Sequence, residues 1–324
     1  MDVTEVTRTD HLDPTQISDI LALARAADLA DGAQPLSEHV TLRLRPDDPA
    51  PVDHLIARDP AGVPVGYAQL DRTTDPAAAE AELVVHPAHR RRGLGRALVD
   101  ATIAASTGAD LRIWAHGDHP SAAALALDLG LRRDRELWQL RRPLGGEIAE
   151  AVLPPGVVLR AFRPGLDDEA WLAVNRRAFA DHPEQGRWTA DDLAVRMAEP
   201  WFDPAGFLLA VEESTDRLLG FHWTKVHGTV TPGPVDPLAE TSIPDPTRGL
   251  PEPVGEVYVV GVEPEAHGLG LGKALTAAGL RHLRDRGLNR VMLYVDESNS
   301  AAVALYARLG FSRWTTHVQY RLAP

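Results

Sequence analysis

Glycines recur in this chain at a spacing suited to gripping a phosphate. The run Val257-Tyr258-Val259-Val260-Gly261-Val262-Glu263-Pro264 leads into His267-Gly268-Leu269-Gly270-Leu271-Gly272-Lys273. Much earlier, Glu82-Leu83-Val84-Val85-His86-Pro87 leads into Arg90-Arg91-Arg92-Gly93-Leu94-Gly95-Arg96. Each is an apolar strand-like run, a proline and a short Gly-rich turn that opens a helix. The first N–H groups of a helix have no intrahelical partner and lie at the positive end of its dipole, so a phosphate or pyrophosphate fits there. Two nucleotide motifs are excluded. A Walker A loop needs glycine and a hydroxyl where His267 and Ala274 stand, and the dinucleotide fingerprint needs a small final residue where Leu275 and Leu98 stand.

The elements that must hold these turns also occur twice. Gly93 and Gly270 are 177 positions apart, and the Leu-Gly helix endings at Gly130 and Gly310 are 180 apart. Two copies of one α/β domain are the economical reading of 324 residues. The first copy, 1–143, is expected to run through a helix at 15–31, strands at 53–58, 65–70 and 81–85, a helix at 95–106, a strand at 111–115, a helix at 121–129 and a strand at 137–141. A Gly/Pro-rich linker follows at 144–156. The second copy, 157–324, repeats the order and closes with a strand at 316–321. It carries a Pro-rich insertion at 227–255, read as a neutral surface loop rather than a lid.

Composition narrows the partners. The formal charge of −13 argues against nucleic acid, whose phosphates need a basic face. No apolar run reaches the length of a membrane span and the N-terminus lacks a leader pattern, so a cytoplasmic protein is expected, with a monomer as the simplest state. With no cysteine, disulfides and thiolate chemistry are ruled out, and no metal site is expected.

The pattern Arg90-x-x-Gly93-x-Gly95, with His267-x-x-Gly270-x-Gly272, resembles the pyrophosphate turn of the GNAT acetyltransferases. His267 departs from their usual Arg or Gln. A second signature stands at the right distance: Asn299-Ser300-Ala301-Ala302-Val303-Ala304-Leu305-Tyr306, running on to Gly310-Phe311, is similar to the family's last helix. The resemblance implies two tandem GNAT folds, each a central mixed, mostly antiparallel sheet flanked by helices, with acetyl-CoA as co-substrate. Spacings of three and four put Asn299, Ala302 and Tyr306 on one helical face. Tyr306 could then protonate the departing CoA thiolate, and Glu256 could deprotonate the acceptor ammonium directly or through a water. Period-2 alternation places Glu256, Tyr258, Val260 and Val262 on one strand face. In the first copy the equivalent positions hold Ala126 and Ala79, so that copy is expected to bind acetyl-CoA without turnover.

Longer matches at Leu219-Gly220-Phe221-His222-Trp223-Thr224-Lys225-Val226-His227, Gly255-Glu256-Val257-Tyr258 and His182-Pro183-Glu184-Gln185-Gly186 resemble the mycothiol synthase family of tandem GNAT enzymes. That family acetylates the cysteinyl amine of a thiol pseudodisaccharide, cysteine-glucosamine-inositol. By this resemblance Glu38, Glu184, Lys225, Glu256 and Tyr294 contact the acceptor. Val260-Gly261-Val262, His267 to Lys273 and Asn299 to Ala304 hold the productive acetyl-CoA, while Leu83-Val84-Val85 and Arg91 to Arg96 hold a second molecule. Two other readings stay open: transfer to another amine, such as a protein N-terminus or an aminoglycoside, and a noncatalytic acetyl-CoA sensor.

Overall fold

The computed structural model describes residues 5–45, 52–72, 78–106, 108–180, 182–228 and 252–322. The chain forms two compact units, 1–138 with 296–299 and 314–324, and 139–295 with 300–313. Most of the Pro-rich insertion expected at 227–255 lies outside the described residues.

In the first unit, strands β1 (Val6–Thr9), β2 (Val52–Arg58), β3 (Pro64–Asp71) and β4 (Ala78–Val85) form an antiparallel meander, and β5 (Asp110–Ala115) joins β4 in parallel. The parallel step needs a crossover, supplied by α3 (Leu94–Ser106), whose Leu94, Leu98, Val99 and Ala105 bury an aliphatic face on Ala79, Ala81, Leu111 and Ile113. The opposite face is covered by α1 (Pro14–Asp31). That helix starts in a reciprocal Asp13–Gln16 capping box and stops at Gly32, which has a left-handed φ of 67°. The short α2 (Glu38–Leu42), absent from the sequence expectation, is held at its start by the Ser37 N–H donating to the buried Glu82 carboxylate at 2.6 Å. Helix α4 (Pro120–Asp128) and β6 (Leu131–Pro143) follow, and β6 starts earlier than expected.

In the second unit, β7 (Val157–Ala161), β8 (Phe207–Glu212), β9 (Leu218–His227) and β10 (Val254–Val262) are antiparallel neighbours, and β11 (Arg290–Asp296) joins β10 in parallel. Helices α5 (Asp168–Ala178), α6 (Pro183–Gly186) and α7 (Ala190–Met197) precede β8; α8 (Leu271–Asp285) is the crossover and α9 (Ser300–Arg308) follows β11. This core is aromatic where the first is aliphatic: Trp171 of α5 packs against Phe207, Phe221 and Trp223, with ring centroids 5.3–5.8 Å apart. Gly261 permits that packing, because a Cβ there would lie 2.7 Å from the Phe221 ring.

One expectation is corrected. The last strand, β12 (Ser312–Leu322), was expected to close the second unit, but Arg112 to Ala115 of β5 pair with Arg321 to Val318, and Val318 and Tyr320 are buried in the aliphatic core of the first unit. Alternation of apolar residues identifies a strand; it carries no information about which sheet edge the strand joins.

Candidate active site

The centre of the second unit is shaped by an irregularity in β10. Its register against β9 runs Glu256↔Lys225 and Val257↔Thr224, then Val259↔Trp223, so Tyr258 is one residue too many. Such a bulge shifts the alternation by one step. Glu256 therefore lies on the face of Lys225, Trp223 and Gly261, while Val260 and Val262 turn to the α8 face, where Val262 packs with Leu271 and Leu275. The expectation that Glu256 shares a face with Val260 and Val262 fails for this reason. The displaced Tyr258 packs at 5.3 Å from Trp223 and 5.1 Å from Trp201, and its hydroxyl accepts from Arg196 Nε at 2.9 Å.

The β10–β11 pairs among the described residues are Gly255↔Val291 and Glu256↔Met292. The described pairing with β11 stops before the bulge, and among the described residues the backbone of Val260-Gly261-Val262 pairs with β9 alone. A strand edge with unpaired N–H and C=O groups accepts an extended, amide-bearing ligand as a further strand.

Beyond β10 the turn is built from backbone. His267 ends a 3₁₀ turn, Gly268 and Gly270 take left-handed φ values of 81° and 76°, and α8 begins at Leu271 with no side chain capping it. Nothing lies within 4 Å of where a Cβ of Gly268 or Gly270 would be, so dihedral freedom explains both glycines. The His267 Nε2–H donates to the Val262 carbonyl at 3.1 Å, which locks the turn to the strand end. Lys273 and Leu269 are exposed beside it.

The first unit repeats this turn closely. Gly93 has φ 85°, and Arg91, at the position of Gly268, is held at φ 62° although it has a side chain. Arg90 Nε donates to the Val85 carbonyl at 3.1 Å, the counterpart of the His267 contact, and its two terminal nitrogens grip Asp31 at 2.7 Å each. Arg90 and His267 thus brace the turn through the same carbonyl. Arg92 is exposed and Arg96 is paired with Asp128.

In the second unit the sequence-predicted ionisable groups gather around β10. Glu256 is 5% exposed, and its Oε2 accepts from His227 Nε2 at 2.6 Å. Lys225 is its cross-strand neighbour, with Nζ 4.6 Å from the Trp201 ring centroid and 5.2 Å from that of Tyr258. The parallel register Glu256↔Met292 sets Tyr294, two residues on, on the same face. The Tyr294 hydroxyl accepts from Gln139 Nε2 at 2.8 Å, and Arg141 Nε donates to Gln139 Oε1 at 2.8 Å. Tyr306 lies on α9 with its ring 5.6 Å from Phe311, and burial pushes its pKa up to about 12, so the hydroxyl is protonated through the neutral range. The first turn of α9 presents the small residues Ser300, Ala301 and Ala304 to the surface. In the first unit, Ala79 and Ala126 are buried in the aliphatic core. Glu38 stands at the start of α2, and Glu184 lies on α6. His227 received no role from the sequence; its one signal was the two-residue step from Lys225, which puts both on one strand face. No group of three or more His, Asp or Glu side chains among the described residues could hold a metal, and no described helix is long and apolar enough to cross a membrane.

Residues 20–129 and 171–311 each match the acetyltransferase (GNAT) family. The chain belongs to that family. Both GNAT folds are therefore present in one chain. The mycothiol acetyltransferase of Salinispora arenicola is 62% identical across 99% of this chain and 97% of its own length, and that of Salinispora tropica is 61% identical across 99% and 98%. Among solved structures, a tandem GNAT protein from the clavulanic acid biosynthesis pathway superposes with a TM-score of 0.68 at 22% identity, covering 99% of each chain. A GCN5-related N-acetyltransferase from Sphaerobacter thermophilus gives 0.66 at 24%, covering 99% and 96%. These two show the same GNAT architecture.

Proposed function

We propose that this protein transfers the acetyl group of acetyl-CoA to the cysteinyl amine of the cysteine-glucosamine-inositol pseudodisaccharide, giving mycothiol and CoA. The observation that carries the substrate is the 62% identity, over nearly the full length of both chains, with an enzyme named for that product. The observations that support the chemistry are the β10 edge beyond the bulge, the backbone turn, and a carboxylate and a protonated phenol in the same unit.

In this reading the pyrophosphate of acetyl-CoA sits on the turn from His267 to Lys273, and the pantetheine amides pair with Val260-Gly261-Val262. Asn299 and the small first turn of α9, Ser300 to Ala304, close over it. Lys225, Glu256 and Tyr294 contact the acceptor, and Glu38 and Glu184 are assigned to it by resemblance. Glu256 takes a proton from the ammonium, the amine nitrogen attacks the thioester carbon, and the C–S bond breaks as Tyr306 protonates the leaving sulfur. The chemistry runs in a single complex of protein, acetyl-CoA and acceptor. The first unit holds a second acetyl-CoA on Leu83-Val84-Val85 and the turn from Arg91 to Arg96, without turnover.

The test is to incubate the purified protein with acetyl-CoA, the cysteinyl pseudodisaccharide and a panel of other amines, and to follow products by mass spectrometry. Preferential acetylation of the cysteinyl amine is expected. Preferential acetylation of a peptide N-terminus or an aminoglycoside would overturn the substrate while keeping the reaction.

A further inference from the structure

Glu256 is a buried carboxylate, and a buried charge is tolerated only when it is paired and hydrogen-bonded. The second unit meets this demand with one imidazole. His227 is the last residue of β9, two positions beyond Lys225, so both project onto the face that carries Glu256. The 2.6 Å contact between His227 Nε2 and Glu256 Oε2 is that of a charge-assisted hydrogen bond. A carboxylate oxygen can only accept at that distance, so Nε2 carries the proton, and the tautomer follows from the partner. The Glu256 side chain is 7% exposed and that of His227 27%, so the imidazole is the more accessible partner of the pair.

We infer that His227 is a positioning residue for acetyl transfer: its Nε2–H occupies one oxygen of Glu256, fixes the carboxylate plane, and aims the remaining basicity of the carboxylate at the acceptor ammonium. The inference rests on the assignment of Glu256 as base. His227 touches neither acetyl group nor sulfur and acts only through Glu256. The proton arithmetic gives the arrangement its use. An ammonium and a thioester become an amide, a thiol and one released proton; the nitrogen gives up two protons and the sulfur gains one. A carboxylate that must accept a proton in every cycle has to present the same oxygen each time, and a rigid donor on the other oxygen ensures that.

The bulge also corrects the match between the units. Strand β4 has none against β3, so by its pairing with the neighbouring strands the position of Glu256 is Glu80, which pairs with Asp71 and Arg112 as Glu256 pairs with Lys225 and Met292, and Ala79 matches Gly255.

The inference is tested by steady-state kinetics with acetyl-CoA and the acceptor on five variants, each checked for acetyl-CoA affinity and thermal melting. His227→Phe keeps the ring size and removes the donor; its kcat is expected to fall about 10- to 100-fold, the range typical for supporting partners of a reactive group, with KM for acetyl-CoA unchanged. His227→Gln can place an amide N–H where Nε2 stands and is expected to recover most of the loss, whereas His227→Asn is too short and is not. In a Glu256→Gln background, His227→Phe is expected to cost little more, because the group it acts through is already gone. If Glu256→Gln lowers kcat and all three single His227 variants match the wild type, the inference is overturned while the base assignment stands. If Glu256→Gln itself turns over normally, the base assignment fails first. Should His227→Phe not fold, the contrast between the Gln and Asn variants decides alone: equal kcat values would contradict a donor role.

Discussion

The two units keep the same turn and differ in the side chains that flank it. Gly270 and Gly93 share a left-handed φ, Gly268 and Arg91 share another, and His267 and Arg90 reach the same strand-end carbonyl over the same 3.1 Å. By contrast, the position of Tyr306 holds Ala126 in the first unit, the strand position of Glu256 holds Glu80, and the ionisable groups Glu82, His116 and His317 form a cluster of that unit's own. An anion grip made of backbone N–H groups survives side-chain change as long as the dihedrals survive. Acid–base chemistry resides in single side chains and disappears with them. Arg91 makes the point most directly, since a non-glycine residue held in the left-handed region costs roughly 1–2 kcal/mol and persists only where the surrounding structure imposes it.

Under the proposed function, removing the Glu256 carboxylate costs most. Glu256→Gln is expected to lower kcat by about 10²- to 10⁴-fold, the usual contribution of a positioned base, with acetyl-CoA affinity within about twofold of the wild type. Tyr306→Phe follows, with a loss of about 10²-fold. Because burial pushes the Tyr306 pKa up to about 12, a basic limb of the kcat profile belonging to Tyr306 is expected near pH 12 rather than near 10. Rate measurements at alkaline pH on wild type and Tyr306→Phe would separate the two positions.

The converse experiment puts a carboxylate at Ala79, the position an ungapped alignment matches to Glu256. Without a bulge in β4, Ala79→Glu aims a carboxylate into the aliphatic core under α3, so it is expected to destabilise by several kcal/mol and to create no second catalytic centre. Thermal melting and turnover of that variant give the answer; a stable protein with raised kcat would break the comparison.

These contrasts show what the sequence discloses. The turns, the Asn299 helix and the order of elements are legible because glycine, proline and 3.6-residue periodicity report local backbone needs directly. The face of Glu256 is not, because a one-residue bulge at Tyr258 inverts the alternation without leaving a mark in residue type. The partnership of His227 with Glu256 is hidden for a related reason: it joins residues on neighbouring strands through register. The placement of β12 beside β5 depends on which edge is open, and residues 316–321 read identically in either position.

Smaller effects sharpen the comparison further. Gly270→Ala and Gly93→Ala each place a Cβ on a left-handed residue at a cost of about 1–2 kcal/mol. Gly270→Ala is expected to raise KM for acetyl-CoA, and Gly93→Ala to weaken only a second, non-productive binding event; calorimetry on the two variants distinguishes them. Stability should also fall in acid. Burial lowers the pKa of His222 in the second unit to about 4, with the charge of His282 adding to it, and burial followed by His116 lowers that of His317 in the first unit to about 3. Both groups bind fewer protons folded than unfolded, so their contribution is intact above pH 6.5. It is lost as pH falls toward 4 and 3, by up to about 1.4 kcal/mol per pH unit for each group. His222→Gln should flatten that decline in melts taken between pH 6.5 and 4.

Under the proposed function one unit reacts while both grip acetyl-CoA. The direct measurement is acetyl-CoA stoichiometry by calorimetry, alongside turnover, on a variant carrying both Glu256→Gln and Tyr306→Phe. The expected result is two molecules bound per chain, as in the wild type, with acetyl transfer abolished. Transfer within a few-fold of the wild type, or a single binding event in both proteins, would contradict it.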